Sequence, residues 1–329
     1  MAFDNSYDTT NPGSAVGNRE QLLDMSTVLY PTLAPIRGLL PVQSATADLV
    51  EWTVDDLRDP RNQGVPEGSD VSSFDSQHSN LVRLQNRVQH FRDTFKVSKK
   101  QEVYESVTPV KVQQAEEKAL KQVLLDEEKA IASGQGAVTD DGSGTGSQLR
   151  GLDKWISNSA QSDDVVDVPS DYRTPIASIH SAGDFTEADM AAILASIFNE
   201  VGEMQDLHLV ADTALRNHIV DEFTRANGAA SNVRYPNGDG SDIVYNVEMF
   251  RGPFGNVKII TANPKCMPDT VNHDYGYILD PNLLGWAEAL SLGSSRLEDQ
   301  GGGPRGYVDC MGTLICKGPK GLGKITAIA

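Results

Sequence analysis

Residues 109–133, PVKVQQAEEKALKQVLLDEEKAIAS, read as one uninterrupted amphipathic helix, and this limits the possible folds more than any other stretch of the chain. Thr108 can cap it, and Pro109 suits the first helical position. Val112, Ala115, Ala119, Val123 and Ala130 form an apolar stripe flanked by Leu120, Leu124 and Ile131. Glu116, Glu117, Lys118, Lys121, Asp126, Glu127, Glu128 and Lys129 are expected to clothe the other faces. At 1.5 Å per residue such a rod is ~37 Å long, more than a small domain is wide. It is a spine on which other elements must lie.

The loop after it, residues 134–150, is rich in Gly, Ser, Thr and Asp, which raises the question of phosphate binding. A phosphate loop needs G-x-x-x-x-G-K-S/T between a strand and a helix N-terminus, so that amides point at the anion. Here the loop follows a helix C-terminus, holds no lysine, and brings Asp140 and Asp141 to the place of the anion. Both electrostatic terms have the wrong sign. The expectation is a flexible, hinge-like connection, with Gly134 stopping the helix.

Upstream, residues Met1 to Gly17 are small and polar and read as an extended arm, followed by a short helix-like stretch, NREQLLDMSTVLY. Pro31, Pro35 and Pro41 forbid a long helix next. From Asp48 to Ser79 a strand-like leg, DLVEWTVDDL, enters a turn-rich tip, and a return leg resumes near Val71. Such a long hairpin has too little apolar surface for a core of its own and needs a neighbour. The stretch from Asn80 to Ser106 shows period-two apolar positions (Val82, Leu84; Phe91, Phe95, Val97) and reads as strand, with a helix over Asn80–His90 as the alternative.

A second block begins near Asp184. Thr186 with Asp189 three residues on approaches a capping box, opening an apolar-striped helix. LHLVAD then reads as a strand and TALRNHIVDEFTRAN as a helix. From Asn232 the signals are β, ending in YVDCMGTLICKGPKGLGKITAI as a pair of alternating strands. The fold class is α+β in two interleaved modules. The expected division is an arm and short helix over 1–40, an extended hairpin over 41–82, and a module over 83–180 holding the spine. A second module follows over 181–285, and strands 286–329 return to the first.

A hydrophobic fraction of 39% and 22% charged residues fit a globular chain. Its net charge of −18 repels polyphosphate unless a local basic patch intervenes. Lys99 and Lys100 are an isolated pair, and Lys317, Lys320 and Lys324 are spread among glycines, so no patch stands out. Three cysteines, Cys266, Cys310 and Cys316, make no disulfide framework or zinc set, and a reducing cytoplasm is expected. Cys310 and Cys316 would share one face of a strand. Neither a signal peptide nor a membrane span is expected.

Searches for chemistry return nothing with named roles. Ser143 lacks the G-x-S-x-G frame of a nucleophile elbow. NGDGSD at 237–242 lacks the spacing of a calcium loop and reads as a turn. The histidines His78, His90, His180, His208, His218 and His273 form no ligand pair, and no two carboxylates are marked as acid and base. No enzyme, cofactor or metal is expected.

The order of these features resembles the major capsid protein of tailed phages, with the Hong Kong 97-like fold shared with encapsulins. EGSDV at 67–71 is similar to the E-G-A-D motif of that family's hairpin. NRVQHFRDTFKVSKKQEVY is similar to its N-x-x-Q…V-S-x-T-Q stretch, with Asn86, Gln89, Val97 and Ser98 in place and Lys99 and Lys100 departing from it. EEKAIASGQG followed by QLRGLDKWI, and YILDPNLLGWAEAL, resemble its helix end, its R-x-x-G-L-x-x-W/F-I continuation and its L-D-P-x-x-L-x-x-A stretch. One branch, the DUF5309-like proteins, is the nearest in local text. The resemblance implies N-terminal arm, extended loop, peripheral domain and axial domain, and a shell of hexamers and pentamers. That shell would enclose double-stranded DNA without specific binding, in the virion, after assembly in the host cytoplasm. It implies scaffolding, portal and cement proteins as partners, no membrane, and an encapsulin-type compartment as the alternative. Asp55, Asp56, Arg58, Asp59, Arg61, Glu67 and Asp70 are then candidates for intersubunit contacts. Some relatives weld subunits through a hairpin lysine, but residues 1–95 contain no lysine.

Overall fold

The computed structural model describes residues 34–74, 80–104, 111–202, 205–223, 235–236, 243–244 and 248–328. The expected arm, the NREQLLDMSTVLY helix, the Thr108–Pro109 cap and the NGDGSD turn lie outside them.

Two large sheets, two two-stranded ones and a spine make up the described α+β body. Strands Val42–Ser44 (β1), Leu49–Val54 (β2), Val82–Arg87 (β3) and Gln89–Lys96 (β4) follow a short helix, Pro35–Leu39 (α1). A one-turn helix, Lys99–Val103 (α2), precedes the spine, Lys111–Ala132 (α3), whose 22 residues span about 33 Å. After Leu152–Trp155 (α4) and Ile179–His180 (β5) come Glu187–Val201 (α5), Gln205–Ala211 (β6) and Thr213–Phe223 (α6). Tyr235–Pro236 (β7) pairs with Ile243–Val244 (β8). Met249–Gly252 (β9), Gly255–Thr261 (β10), Gly276–Leu279 (β11), Leu284–Leu297 (β12), Arg305–Cys316 (β13) and Gly323–Ile325 (β14) complete the order.

The first sheet runs β1-β12-β13-β4, and the spine packs on β4 and β13. Ala119, Val123, Ala130 and Ile131 meet Phe91, Phe95, Val308 and Cys310 there, as the helical stripe and the strand alternation require. The second sheet runs β5-β14-β11-β6-β10-β9, with α5 and α6 on one face. The capping box at Thr186 and Asp189 opens α5, and Gly202 in the left-handed region (φ 76°) closes it.

Alternation along β6 and β11 divides their side chains between two cores. Leu207, Leu209, Ala211 and Ile278 face α5 and α6. Val210, Tyr277 and Leu279 face the spine and the first sheet. The middle of the second sheet is therefore buried on both faces, and every residue of β11 is buried.

Several expectations change. The return leg forms no strand over 71–74, its expected start; its paired part is β3, which joins β2 from Val54↔Val82 to Leu49↔Arg87, so a boundary at 82/83 cuts through the return strand. The Asn80–His90 alternative is strand, not helix. The last strand, β14, does not return to the first sheet but lies between β5 and β11 in the second. Glu127 (3% exposed) and Glu128 (1%) do not clothe the spine; they are buried in it, while the flanking Leu124 is 38% exposed. Gly134 is not in the left-handed region and does not cap the spine.

The glycine-rich loop is not a free hinge. Val138 and Gln148 form a two-way backbone bridge, Ala137 N donates to Asp163 Oδ2 (3.2 Å), and Thr139 N donates to Asp164 Oδ2 (2.8 Å). At its tip the Asp141 carboxylate accepts from the N–H groups of Ser143, Gly144 and Thr145. Those bonds hold its pKa down at about 2. Where the loop rejoins the body, Gly151 lies against the Ser133 carbonyl so closely that a Cβ would collide with it.

Candidate assembly interface

The hairpin is anchored at one end and bare at the other. Trp52 of β2 donates its indole N–H to Cys316 O (3.0 Å), and its ring lies 5.7 Å from that of Trp155. Leu84 beside it is fully buried. Beyond Val54 there is no strand, and every residue from 55 to 74 is exposed. Leu57, Val65, Val71 and Phe74 are 91%, 82%, 75% and 90% exposed, which is unusual for large apolar side chains in one continuous segment. The tip turns at Pro66–Ser69, where Ser69 N donates to Pro66 O (3.2 Å) and Gly68 takes φ 75°. A positive φ at the third position is the demand of a type II turn, and it explains the glycine of EGSDV.

The seven charged candidates lie along this bare segment. Arg58 donates to Asp59 O (3.1 Å), and Asp56 N to Asp55 Oδ1 (3.0 Å). Asp56 also turns back on the body, its Oδ2 3.0 Å from Lys320 Nζ. Glu67 sits in the turn and Asp70 just after it. The structure thus strings the charges out rather than gathering them at one point.

The N-x-x-Q motif has a structural task beneath the hairpin. Asn86 is fully buried, donates to Leu314 O (2.8 Å) and Arg150 O (3.3 Å), and accepts from Arg150 N (2.8 Å). Gln89 Oε1 accepts from Gln135 Nε2 (2.8 Å) and Leu149 N (3.1 Å). The two side chains tie β3 and β4 to both ends of the glycine-rich loop. Arg150, itself fully buried, sends Nε to Asp163 Oδ2 (2.8 Å) and Nη2 to Asp163 Oδ1 (2.5 Å), with its guanidinium 4.8 Å from the Trp155 ring. Burial alone would raise the Asp163 pKa, but the Arg150 contacts outweigh it and the pKa is lowered.

Sequence reasoning missed the pair of buried glutamates. Glu128 Oε1 accepts from Ile36 N (2.9 Å) and Oε2 from Arg37 N (2.8 Å), fastening α1 to the spine. Burial raises its pKa to about 7 against those two bonds. Glu127 faces Arg37 (3.5 Å) and accepts from the Cys310 thiol (2.9 Å), and burial raises its pKa too. Arg37 lies 5.0 Å from the Trp286 ring. The one available signal was the four-residue run DEEK inside an apolar stripe, which helical spacing must rotate partly inward.

The titratable side chains of the described residues do not gather into one site. Among the described residues no group of three His, Cys, Asp or Glu side chains could hold a metal ion. His273 pairs with Asp212 (3.0 Å), His218 with Phe185 O (2.7 Å), and His90 with Asp309 (3.3 Å), each in a different place. All three cysteines are buried and unbridged, and burial pushes the Cys266 thiol up to about 12. Among the described residues no helix is long and apolar enough to cross a membrane.

Solved structures similar to this chain include phage capsids and an encapsulin. The chain superposes on the capsid asymmetric unit of cyanophage A-1(L) with a TM-score of 0.66 at 12% identity, covering 97% of this chain and 98% of that one. The capsid of the native GTA particle gives 0.59 at 15%, covering 100% of each. The SrpI encapsulin of Synechococcus elongatus gives 0.53 at 10%, covering 95% and 93%. These likenesses establish a Hong Kong 97-like fold. No curated protein matches the chain. The family model for the SU10 major capsid protein matches residues 5–329, and the narrower DUF5309-like grouping draws no support from it. With nearly its whole length matched, the chain belongs to the SU10 major capsid protein family.

Proposed function

We propose that copies of this major capsid protein associate as hexamers and pentamers into the icosahedral head of a tailed phage, around double-stranded DNA. The bare hairpin carries this reading. A segment of 20 residues with four large apolar side chains in water is unfavourable in a lone subunit and favourable once a neighbour covers it. The net charge of −18 favours an enclosed genome that does not adhere to the wall. In this reading residues 41–82 hold the extended loop, 83–180 the peripheral domain and 181–285 the axial domain. The shell forms in the host cytoplasm, with scaffolding, portal and cement proteins as partners, and the protein has no catalytic task.

Six of the seven charged hairpin residues then lie across an adjacent subunit through polar pairs, while Asp56 is engaged by Lys320 of its own subunit. Reversing Arg58 and Arg61 to glutamate should impair shell formation or make it more salt-sensitive, with helicity of the free subunit unchanged. Assembly unaltered at every salt concentration removes that assignment. The fold it shares with the encapsulin makes a compartment shell the second reading. Negative-stain microscopy of the expressed full chain tests both. Closed shells or tubes are expected; a protein that stays monomeric at high concentration, with and without scaffold, overturns the proposal. Neighbouring portal and terminase genes separate the phage head from a compartment with cargo peptides.

A further inference from the structure

We infer that Lys320 and Tyr172 form a two-point brace that fixes the direction in which the hairpin leaves the body. Its bearing on assembly rests on the shell reading above; its existence does not. The β2–β3 ladder ends at Val54↔Val82, and just beyond it each leg is tied to a different residue of the body. On the outgoing leg Asp56 Oδ2 lies 3.0 Å from Lys320 Nζ, and the same ammonium reaches Glu200 Oε2 at 3.5 Å. On the returning leg Asn80 O accepts from the Tyr172 hydroxyl (2.5 Å). Lys320 Nζ also sits 5.4 Å from the Tyr172 ring, which joins the two anchors.

The anchors are themselves held. Tyr172 ends one short 3-10 turn, Ser170–Tyr172, and Lys320 is the middle of another, Pro319–Gly321. Buried Thr174 bonds Pro319 O (2.8 Å) and couples the two turns. Glu200 lies in the last turn of α5, so the brace connects the hairpin to the second sheet's helical layer. A cleft of ≈ 280 Å³, lined by Val54, Asp56, Tyr172, Glu200, Leu283 and Lys320, runs beside these contacts and leaves the legs room to move when they break. Burial works against the Lys320 ammonium, but Asp56 and Glu200 outweigh it and its pKa is raised. A two-stranded ladder of six residues bearing 20 exposed ones would otherwise swing about its base.

Distances between spin labels on the full-length, unassembled chain test the brace. Gly64→Cys puts one label at the tip, where a Cβ meets nothing, and Ala188→Cys puts the other on the exposed start of α5. The native cysteines are buried and do not compete. Lys320→Met should broaden the distance distribution roughly twofold or more, as the hairpin samples several directions. Lys320→Arg, which can reach both carboxylates and the ring, should restore it. Asp56→Asn, at an exposed position that cannot unfold the subunit, should broaden it in the same sense. A distribution in Lys320→Met and Asp56→Asn as narrow as in the parent overturns the brace. In assembly, Lys320→Met should widen the spread of particle diameters relative to the parent; a broadened hairpin with unchanged particles overturns its role there. A parent chain that forms no shells counts against the shell reading alone.

Discussion

Replacing Glu128 by glutamine tests the buried carboxylate that fastens α1 to the spine. In the folded chain this group's pKa is raised from the ordinary 4.5 to about 7 by burial, despite the two N–H bonds from Ile36 and Arg37. A raised folded-state pKa means that the folded protein holds the proton more tightly than the unfolded one. The stabilisation is therefore fully present below 4.5 and is lost as pH rises through about 7. Across that whole interval it amounts to about 3 kcal/mol. Because the sequence pI is near 4.7, the accessible comparison starts higher, and between about pH 5.5 and about pH 8 the loss is about 2 kcal/mol. Charged and titratable groups around it are Arg37 on α1, Glu127 on its own helix and Cys266 on the segment after β10. Glutamine keeps one acceptor and turns an amide toward the other N–H, a pH-independent cost of about 1–2 kcal/mol. Urea midpoints of parent and Glu128→Gln at the two pH values give the difference. The parent should lose about 2 kcal/mol relative to the variant on raising the pH. Parallel pH profiles would refute the placement of an uncompensated carboxylate between α1 and the spine.

Three further outcomes are expected. Asn86→Ala leaves Leu314 O and Arg150 N without their buried Asn86 partner, while Arg150 O keeps the Trp155 indole N–H, and should cost about 3 kcal/mol in urea unfolding, whereas a loss under about 1 kcal/mol would show that the motif does not hold the loop. Deleting residues 1–30 should leave a soluble, folded subunit that assembles poorly, checked by its melting temperature and by sedimentation of assembled particles; a marked fall in melting temperature counts against it. Mature particles boiled in detergent under reducing conditions should run as one band near 35.5 kDa, because residues 1–95 offer no lysine for a hairpin cross-link, and a ladder of oligomers would contradict this.

The regular elements were legible where one periodicity dominated. The stripe from Val112 to Ile131 announced the spine, Thr186 with Asp189 announced α5, and alternation announced β4 and β13 as strands. Three features were not legible, for physical reasons. Glu127 and Glu128 look like solvated helix residues until Arg37, ninety positions earlier, is brought against them. The start of the paired return strand at Val82 and the expected one near Val71 are both β-branched positions among polar ones, and the decision lies in pairing with Leu49–Val54, which local pattern does not encode. Glycine and serine in the loop after the spine suggested freedom, yet Gln89, Asp163 and Asp164 fix it through long-range bonds. Of the candidate interface, the charges were visible; the apolar exposure of Leu57, Val65, Val71 and Phe74 required knowing that none of the described residues covers them.

The division of β6 and β11 between two cores has a mechanical consequence. Val210, Tyr277 and Leu279 belong to one core while their immediate neighbours Leu209 and Ile278 belong to the other, so the middle of the second sheet is a party wall. Neither room can be deformed without moving it, because close-packed interiors resist compression and shear. A subunit built this way behaves as a stiff tile. A closed icosahedral surface needs the same tile to meet its neighbours at different angles around fivefold and sixfold axes. With the body unable to bend, the difference in angle must be taken up at the contacts between subunits, and the joints of the shell lie between tiles and not within them.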